Sequence, residues 1–266
     1  MRIRAAIIAM VVAVAVTGCG DESGTTHPTE PGPPAPVGLP KDVVIPRLPS
    51  PYFHFDYDAS GRMTGASYAS ELTKYDVRYD GGRISALTNI TLGNRDTLKY
   101  VYDASGRVLA IQYVNGSGVV YTRVIFTFEG QQLRELERER KLSDGFIIDK
   151  QMTFTYYADG NVRDITEHRP AIDGVQTETT VVDRYESYDT KINVDGFSLL
   201  HTEFFDHLLL LPGLRLQIGN PARQTHTGDG DNYVVDYTYS YDAGNRPLTK
   251  SGDLLFLSGS SAGMRR

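Results

Sequence analysis

The sequence predicts an all-β protein, an antiparallel meander of repeated hairpins that curls toward a half-barrel or a barrel. Two observations lead to this prediction. The hexapeptide YDASGR occurs at residues 57–62 and again at 102–107, with a shortened YDGGR at 79–83 between them. The residues before each copy alternate between apolar and polar side chains, which is the period of a half-buried strand. A hairpin that recurs along the chain explains both observations.

The N-terminal segment has the layout of a secretory signal, and we expect residues 1–18 to be removed. Arg2 and Arg4 precede an apolar stretch that is too short to cross a bilayer as a helix. The letters VTGC that end at Cys19 resemble the lipobox of bacterial lipoprotein signals, and this resemblance implies that Cys19 is acylated. Because Cys19 is the only cysteine, an intramolecular disulfide is impossible. The implied partner of this end of the chain is a membrane, reached through the N-terminal lipid.

Residues 19–51 comprise the lipidated cysteine and a proline-rich linker. Nine of the thirteen prolines lie between Pro28 and Pro51, so we expect an extended tether that reaches about 90 Å at roughly 3.1 Å per residue. Removal of residues 1–18 leaves 25 basic and 33 acidic residues and changes the formal net charge from −6 to −8. This balance disfavours nucleic acid as a partner.

Residues 52–257 are predicted to form a single β-repeat domain, followed by a disordered tail at 258–266. Aligned on its aromatic residue, the repeat recurs at intervals of 22, 23, 26 and 28 residues. Each interval accommodates two strands and two turns. The anchor residues are Tyr57, Tyr79, Tyr102, Phe128 and Tyr156.

The end of each repeat predicts a tight turn. An aspartate suits the first position, where its carboxylate accepts from backbone amides, and a glycine suits the left-handed position that closes a bulged hairpin. The predicted turn residues are Asp58, Gly61, Gly82, Asp103, Gly106, Gly160 and Asp242. Downstream of each turn the apolar residues lie three apart, as Val108 and Ile111 do, so we expect a bulge there that curves the sheet. The sequence leaves open whether the sheet closes.

Two segments depart from the hairpin pattern. Gln131–Leu142 has helical propensity, but it occupies the outgoing strand of its repeat, so we predict a strand. Residues 197–211 are rich in apolar side chains and interrupt the repeats, which predicts a short helix or a crossover that covers part of the sheet.

The repeated units resemble the YD repeats of Rhs and teneurin-type proteins. The order of features is similar to that of an uncharacterised family of Bacteroidetes lipoproteins with a porin-like fold. YDTKIN at 188–193 and YTYSYDAGNRPLTK at 237–250 correspond to that family's last motifs, with Val194 where the family has proline. The resemblance implies a lipid-anchored envelope lipoprotein on the outer membrane, at its surface or its periplasmic face, without a known activity. We predict no membrane-embedded barrel, because strand positions opposite the aromatic residues are charged.

Other polar groups carry weaker signals, and we interpret each as structural. Ser261 matches a nucleophile pattern in the tail, and Asp229 and Asp231 have calcium-loop spacing without the distal glutamate. A third group lies at the predicted crossover and contains His201, Glu203, Asp206 and His207. A fourth group could stack on sugars and contains Tyr233, Tyr237, Tyr239 and Tyr241. We predict no metal, no cofactor and no catalytic residue.

Three functional hypotheses follow. The first is a non-enzymatic lipoprotein that binds a surface glycan or protein, for which an uncovered concave aromatic face would be evidence. The second is a structural role in the envelope, expected if the sheet closes and exposes only charge. The third is a hydrolase of envelope or extracellular polymers, which requires paired carboxylates about 5 to 9.5 Å apart.

Overall fold

The computed structural model describes residues 8–13, 41–44, 48, 50–91, 93, 95–193, 210–211 and 214–257. Within these ranges the protein is one antiparallel β-sheet without helices. The strands are β1 (Ile8–Ala13), β2 (Asp42–Val44), β3 (Phe53–Tyr57), β4 (Met63–Tyr68), β5 (Thr73–Asp80), β6 (Arg83–Asn89), β7 (Thr97–Tyr102), β8 (Val108–Val114), β9 (Val120–Glu129), β10 (Gln132–Leu142), β11 (Gly145–Tyr156), β12 (Val162–Arg169), β13 (Thr179–Tyr188), β14 (Pro221–Gly228), β15 (Tyr233–Tyr241) and β16 (Pro247–Phe256).

The strands lie in the sheet in the order in which they occur in the sequence, which confirms the predicted all-β antiparallel sheet. β2 and β16 are the outer strands of a fifteen-stranded sheet, and they do not pair with each other in the described part of the chain. β1 lies between them and completes a ring, with Met10 opposite Lys250 and Val11 opposite Val44. Because β1 belongs to the predicted signal peptide, its removal would leave a curled sheet that is not closed.

A shift in strand register follows the first turn. Tyr57 pairs with Met63, but Phe55 pairs with Ala66, so the outgoing strand contains one extra residue. The same shift occurs in the hairpins β5–β6, β7–β8, β9–β10, β11–β12 and β15–β16. A bulge of this kind bends the strand and increases its twist. It also accounts for apolar residues that lie three apart, because both must reach the same face.

One face of the sheet carries the buried apolar side chains of β2 to β13 and is called the inner face here. Its apolar side chains form a single core that includes the fully buried Phe55, Tyr75, Phe126 and Phe154. The outer face is polar, with exposed Lys99 among its side chains. Alternation along each strand therefore separates a hydrophobic inner layer from a solvated outer layer.

The connection between β13 and β14 returns to the inner face. The Tyr100 hydroxyl of β7 donates to the Leu210 carbonyl at 2.8 Å, and Leu210, Leu211 and Leu216 are buried. Asn193 holds the returning chain, since its amide donates to the Gly219 carbonyl at 2.7 Å. This connection thus covers part of the inner face with apolar residues.

Three segments assigned from the sequence alone can be compared with the observed strands. Gln132–Leu142 is a strand, as predicted. Asp42–Val44 belongs to the sheet although it lies in the predicted linker, because Val43 is buried against the core. The predicted helix or crossover at 197–211 falls outside the described residues, apart from Leu210 and Leu211. No helix in the described ranges has the length and hydropathy of a membrane span.

Candidate functional site

The first repeated turn is closed by its aspartate and glycine. Asp58 Oδ1 accepts from the backbone amides of Ser60 and Arg62 at 2.9 Å each, and Asp58 Oδ2 accepts from Arg62 Nε at 2.7 Å. The amide and then the guanidinium of Arg62 lower the pKa of Asp58. Gly61 has a φ of +74°, a conformation that disfavours residues with a Cβ atom. The turn is therefore held by contacts within residues 58–62.

The other predicted turn residues close their hairpins as well, although the β5–β6 turn is shorter because Asp80 pairs with Arg83. Asp103 accepts from the Arg107 amide at 2.9 Å, as Asp242 does from the Arg246 amide. Gly82, Gly106 and Gly160 all have positive φ. In the last turn the left-handed residue is Asn245, with a φ of +61°, which asparagine tolerates better than most residues.

The repeat residues that are tyrosines donate hydrogen bonds to the preceding hairpin at Tyr79, Tyr102 and Tyr156. The Tyr79 hydroxyl donates to the Met63 carbonyl at 2.9 Å, and the Tyr102 hydroxyl donates to the Ile84 carbonyl at 2.6 Å. Equivalent bonds join Tyr156 to Leu133 and Tyr188 to Val162, whereas in the last hairpin the Tyr241 hydroxyl donates to the Asp189 carboxylate instead. Burial raises the pKa of Tyr79 and Tyr102, so both hydroxyls remain protonated donors. The repeat therefore links each hairpin to the one before it.

An arginine at the end of a turn, or just inside the strand that follows it, contacts the next repeat. The Arg62 guanidinium lies 5.4 Å from the centroid of the Tyr79 ring, and Arg83 lies 5.6 Å from that of Tyr102. The same contact joins Arg107 to Phe128 and Arg134 to Tyr156. Cation–π contacts of this kind contribute about 0.5–1 kcal/mol at exposed sites. These contacts join neighbouring hairpins along the rim of the sheet that carries the repeated turns. The sequence does not reveal which arginine contacts which ring.

The opposite rim of the inner face, called the far rim, carries buried charge. Arg138 of β10 lies directly across from Lys150 of β11. The strand register slips at Asp149, so that both Asp149 and Lys150 are buried. Asp149 Oδ1 accepts from Arg138 Nε at 2.8 Å, and Asp149 Oδ2 lies 2.7 Å from Arg140 Nη2.

Two residues of β12 extend this group. Glu167 Oε1 accepts from Arg169 Nε at 2.5 Å, and Glu167 Oε2 lies 3.7 Å from Lys150 Nζ. Glu167 Oε2 has no hydrogen-bond partner among the described residues. Burial lowers the pKa of Lys150 to about 8, although the Glu167 carboxylate opposes the shift. We call Arg138, Arg140, Lys150 and Arg169 the cation cluster.

A second polar group lies on the inner face of β13 to β15. Asp183 is buried, and its Oδ1 is 2.8 Å from both Gln224 Nε2 and His226 Nδ1. The Tyr237 hydroxyl donates to Gln224 Oε1 at 2.5 Å. The carboxylate is thus held by polar side chains on the adjacent strand.

An acidic stripe lies on the outer face of β10, as the strand assignment requires. Gln151 Nε2 donates to Glu135 Oε1 at 2.5 Å and to Glu137 Oε1 at 3.2 Å. Burial raises the pKa of Glu137, and the charges of Glu135 and Glu139 raise it further. The sequence could place these carboxylates on one face but could not name the amide that joins two of them.

The weaker candidates do not form a site in the described ranges. Asp229 Oδ2 accepts from the Thr180 amide at 2.7 Å, so it fixes the β14–β15 loop to the start of β13. No group of three or more His, Cys, Asp or Glu side chains that could hold a metal occurs in the described part of the chain. Cys19, Ser261 and the group of His201, Glu203, Asp206 and His207 lie outside it.

The aromatic residues of the inner face differ in how far they are covered. Tyr75 and Phe55 are fully buried. On β15 the Tyr233 ring stacks on His226, with centroids 4.6 Å apart, and the Tyr239 hydroxyl donates to the Pro221 carbonyl. The rings of Phe55 on β3 and Tyr75 on β5 are therefore covered, whereas Tyr233, Tyr237, Tyr239 and Tyr241 of β15 remain half-buried.

Comparisons with known proteins show the fold. No family model and no curated protein matches the chain. Among solved structures, the chain is similar to a porin-like protein from Bacteroides vulgatus, with a TM-score of 0.50, 13% identity, and coverage of 77% of this chain and 92% of that one. A porin-like protein from Bacteroides uniformis has a TM-score of 0.49, 13% identity, and coverage of 77% and 89%.

Proposed function

We propose that the chain is an outer-membrane lipoprotein that holds a β-sheet domain at the cell surface to bind a ligand, without catalysing a reaction. The observation that carries the binding role is the cation cluster at the far rim. Four cations surround two buried carboxylates there, where a sheet built only for stability would place apolar side chains.

The proposed location in the cell envelope rests on the N-terminal motif. Cys19 follows an apolar segment with basic residues before it, and several acyl chains would make the attachment effectively permanent at roughly 0.8 kcal/mol per buried methylene. The likeness to a porin-like protein of Bacteroides vulgatus supports the same address. The proline-rich linker would hold the domain away from the membrane.

The lipid anchor is tested by metabolic labelling. In a bacterial host with an outer membrane, the full-length chain should incorporate an alkyne-bearing fatty acid and sediment with the outer membrane. Cys19→Ala should lose the label and the sedimentation, whereas Ser23→Ala should keep both. Equal labelling of Cys19→Ala and the unchanged chain would contradict the proposal.

The alternative is a hydrolase of envelope or extracellular polymers, and one observation favours it. Glu135 and Glu137 share the Gln151 amide, and the pKa of Glu137 is raised, as a general acid requires. If the alternative holds, the full-length chain releases reducing ends from envelope polysaccharide and Glu137→Gln does not. If binding alone is the function, neither protein releases them.

A further inference from the structure

We infer that the far rim of the inner face binds an oxyanion, a carboxylate or a phosphate group on a saccharide, through Arg140 and Arg169. This inference rests on the proposed binding role and names its ligand class. A uronic acid residue and a phosphorylated sugar share the required chemistry, and the experiment below distinguishes them.

The sheet does not need these charges for stability. Arg138 and Lys150 are directly opposite each other on neighbouring strands, and like charges in this position are destabilising. The adjacent pair on the same two strands is Leu136 opposite Met152, and both are fully buried. An apolar pair would therefore continue the core at Lys150, which is itself 1% exposed.

The cluster carries a surplus of positive charge. Its four cations face the carboxylates of Asp149 and Glu167, and each carboxylate contacts two of them. The two carboxylates can neutralise at most two of the four charges. An anion bound at this rim would gain from the remainder in a partly desolvated setting, where charge interactions are stronger than in water.

Arg140 and Arg169 are the two cations that a ligand can reach. Their side chains are 42% and 35% exposed, against 11% for Arg138 and 1% for Lys150. In the described part of the chain, Arg140 contacts Asp149 and Arg169 contacts Glu167. A guanidinium has five N–H donors in a planar fork, so donors remain for the two oxygens of a carboxylate or phosphate.

The test uses the full-length protein purified in detergent and isothermal titration calorimetry. The probes are galacturonate, glucose 1-phosphate and neutral galactose. We expect one of the two anions to bind and galactose not to bind; the anion that binds identifies the source. Arg140→Gln and Arg169→Gln should each weaken binding at least about tenfold.

Arg223→Gln is the matched control, because Arg223 is 48% exposed and pairs with Asp236 on another part of the sheet. It should leave the affinity unchanged. Equal weakening by Arg223→Gln would indicate general charge attraction and overturn the inference, as would the failure of both anions to bind. The fatty-acid labelling of Cys19 is independent of both results. Failure of the anion site can therefore be distinguished from failure of the envelope proposal.

A second readout does not depend on how the variants fold. A bound anion adds negative charge beside Lys150 and should raise its pKa. This can be followed in the unchanged protein by NMR of lysines labelled biosynthetically with ¹³C and ¹⁵N, with and without the anion that binds. A Lys150 signal that does not respond to saturating anion would contradict a site at the far rim.

Discussion

The guanidinium of Arg62 lies over the ring of Tyr79, 5.4 Å from its centroid. Arg62 ends one turn and Tyr79 begins the next, so the contact joins two hairpins. The Tyr79 hydroxyl bonds back to Met63, directly after Arg62. The motif therefore recurs with a shared role, because Tyr79 and Tyr102 each supply a hydroxyl to the hairpin before them, and Arg62, Arg83 and Arg107 each supply a cation to the hairpin after them.

Phe128 occupies the one repeat position among Tyr79, Tyr102, Phe128 and Tyr156 that lacks the hydroxyl. We expect Phe128→Tyr to donate to the Val108 carbonyl, by analogy with Tyr102 and Ile84, and to raise the free energy of unfolding by about 1 kcal/mol. Chemical denaturation measures the change. Tyr102→Phe is the reverse control and should lose a similar amount; a destabilised Phe128→Tyr would show that the repeats are not equivalent.

Two turn glycines differ in what surrounds them. Both have φ above +80°, but a Cβ at Gly106 would lie 2.5 Å from an Arg83 guanidinium nitrogen, whereas a Cβ at Gly82 would meet nothing within 4 Å. Gly82→Ala should cost about 1 kcal/mol for the backbone alone. Gly106→Ala should cost about 0.5–1 kcal/mol more, because Arg83 must leave the Tyr102 ring. Thermal unfolding of both variants checks the difference, and equal costs would contradict it.

Lys150 should make stability depend on pH. The folded side chain loses its proton near pH 8 and the unfolded one near 10.5, so between these values the unfolded state binds more protons. Stability should therefore rise with pH in this window, by on the order of 2 kcal/mol relative to Lys150→Met. Urea unfolding of both proteins at pH 7.5 and pH 10 measures the difference. Parallel pH profiles would show that Lys150 has an ordinary pKa in the folded state.

His54 should titrate above its ordinary value. Its Nδ1 lies 2.6 Å from Asp42 Oδ1 and its Nε2 3.1 Å from Asp56 Oδ1, and these hydrogen bonds, the one to Asp42 first, raise the pKa above 6.5. The raised pKa stabilises the fold below pH 6.5, and this contribution is lost as the pH rises through the folded-state pKa. NMR titration should show a lower pKa in Asp42→Asn. An unchanged pKa would contradict the pairing of β2 with β3.

The predictable parts of this fold depend on contacts within a few residues. Alternation identified the strands, and the Asp58 turn could be predicted because its bonds end at Arg62. The bulge followed from the spacing of Val108 and Ile111. The stacking of Arg62 on Tyr79 could not be predicted, since it depends on how neighbouring hairpins are spaced in the sheet.

The far rim was not predictable for a related reason. Strict alternation assigns Asp149 and Lys150 to opposite faces, and no turn or proline marks the bulge that buries both. Asp42–Val44 was assigned to the linker because prolines dominate its surroundings. This segment is a strand because Val43 is buried against core residues that are distant in the sequence.

Protease shaving of intact cells tests surface display most directly. An antibody to the domain reports the full-length chain, and a periplasmic protein certifies that the outer membrane remains intact. The domain signal should disappear while the periplasmic control persists. Protection of the domain until the cells are lysed would place it in the periplasm and contradict binding at the cell surface.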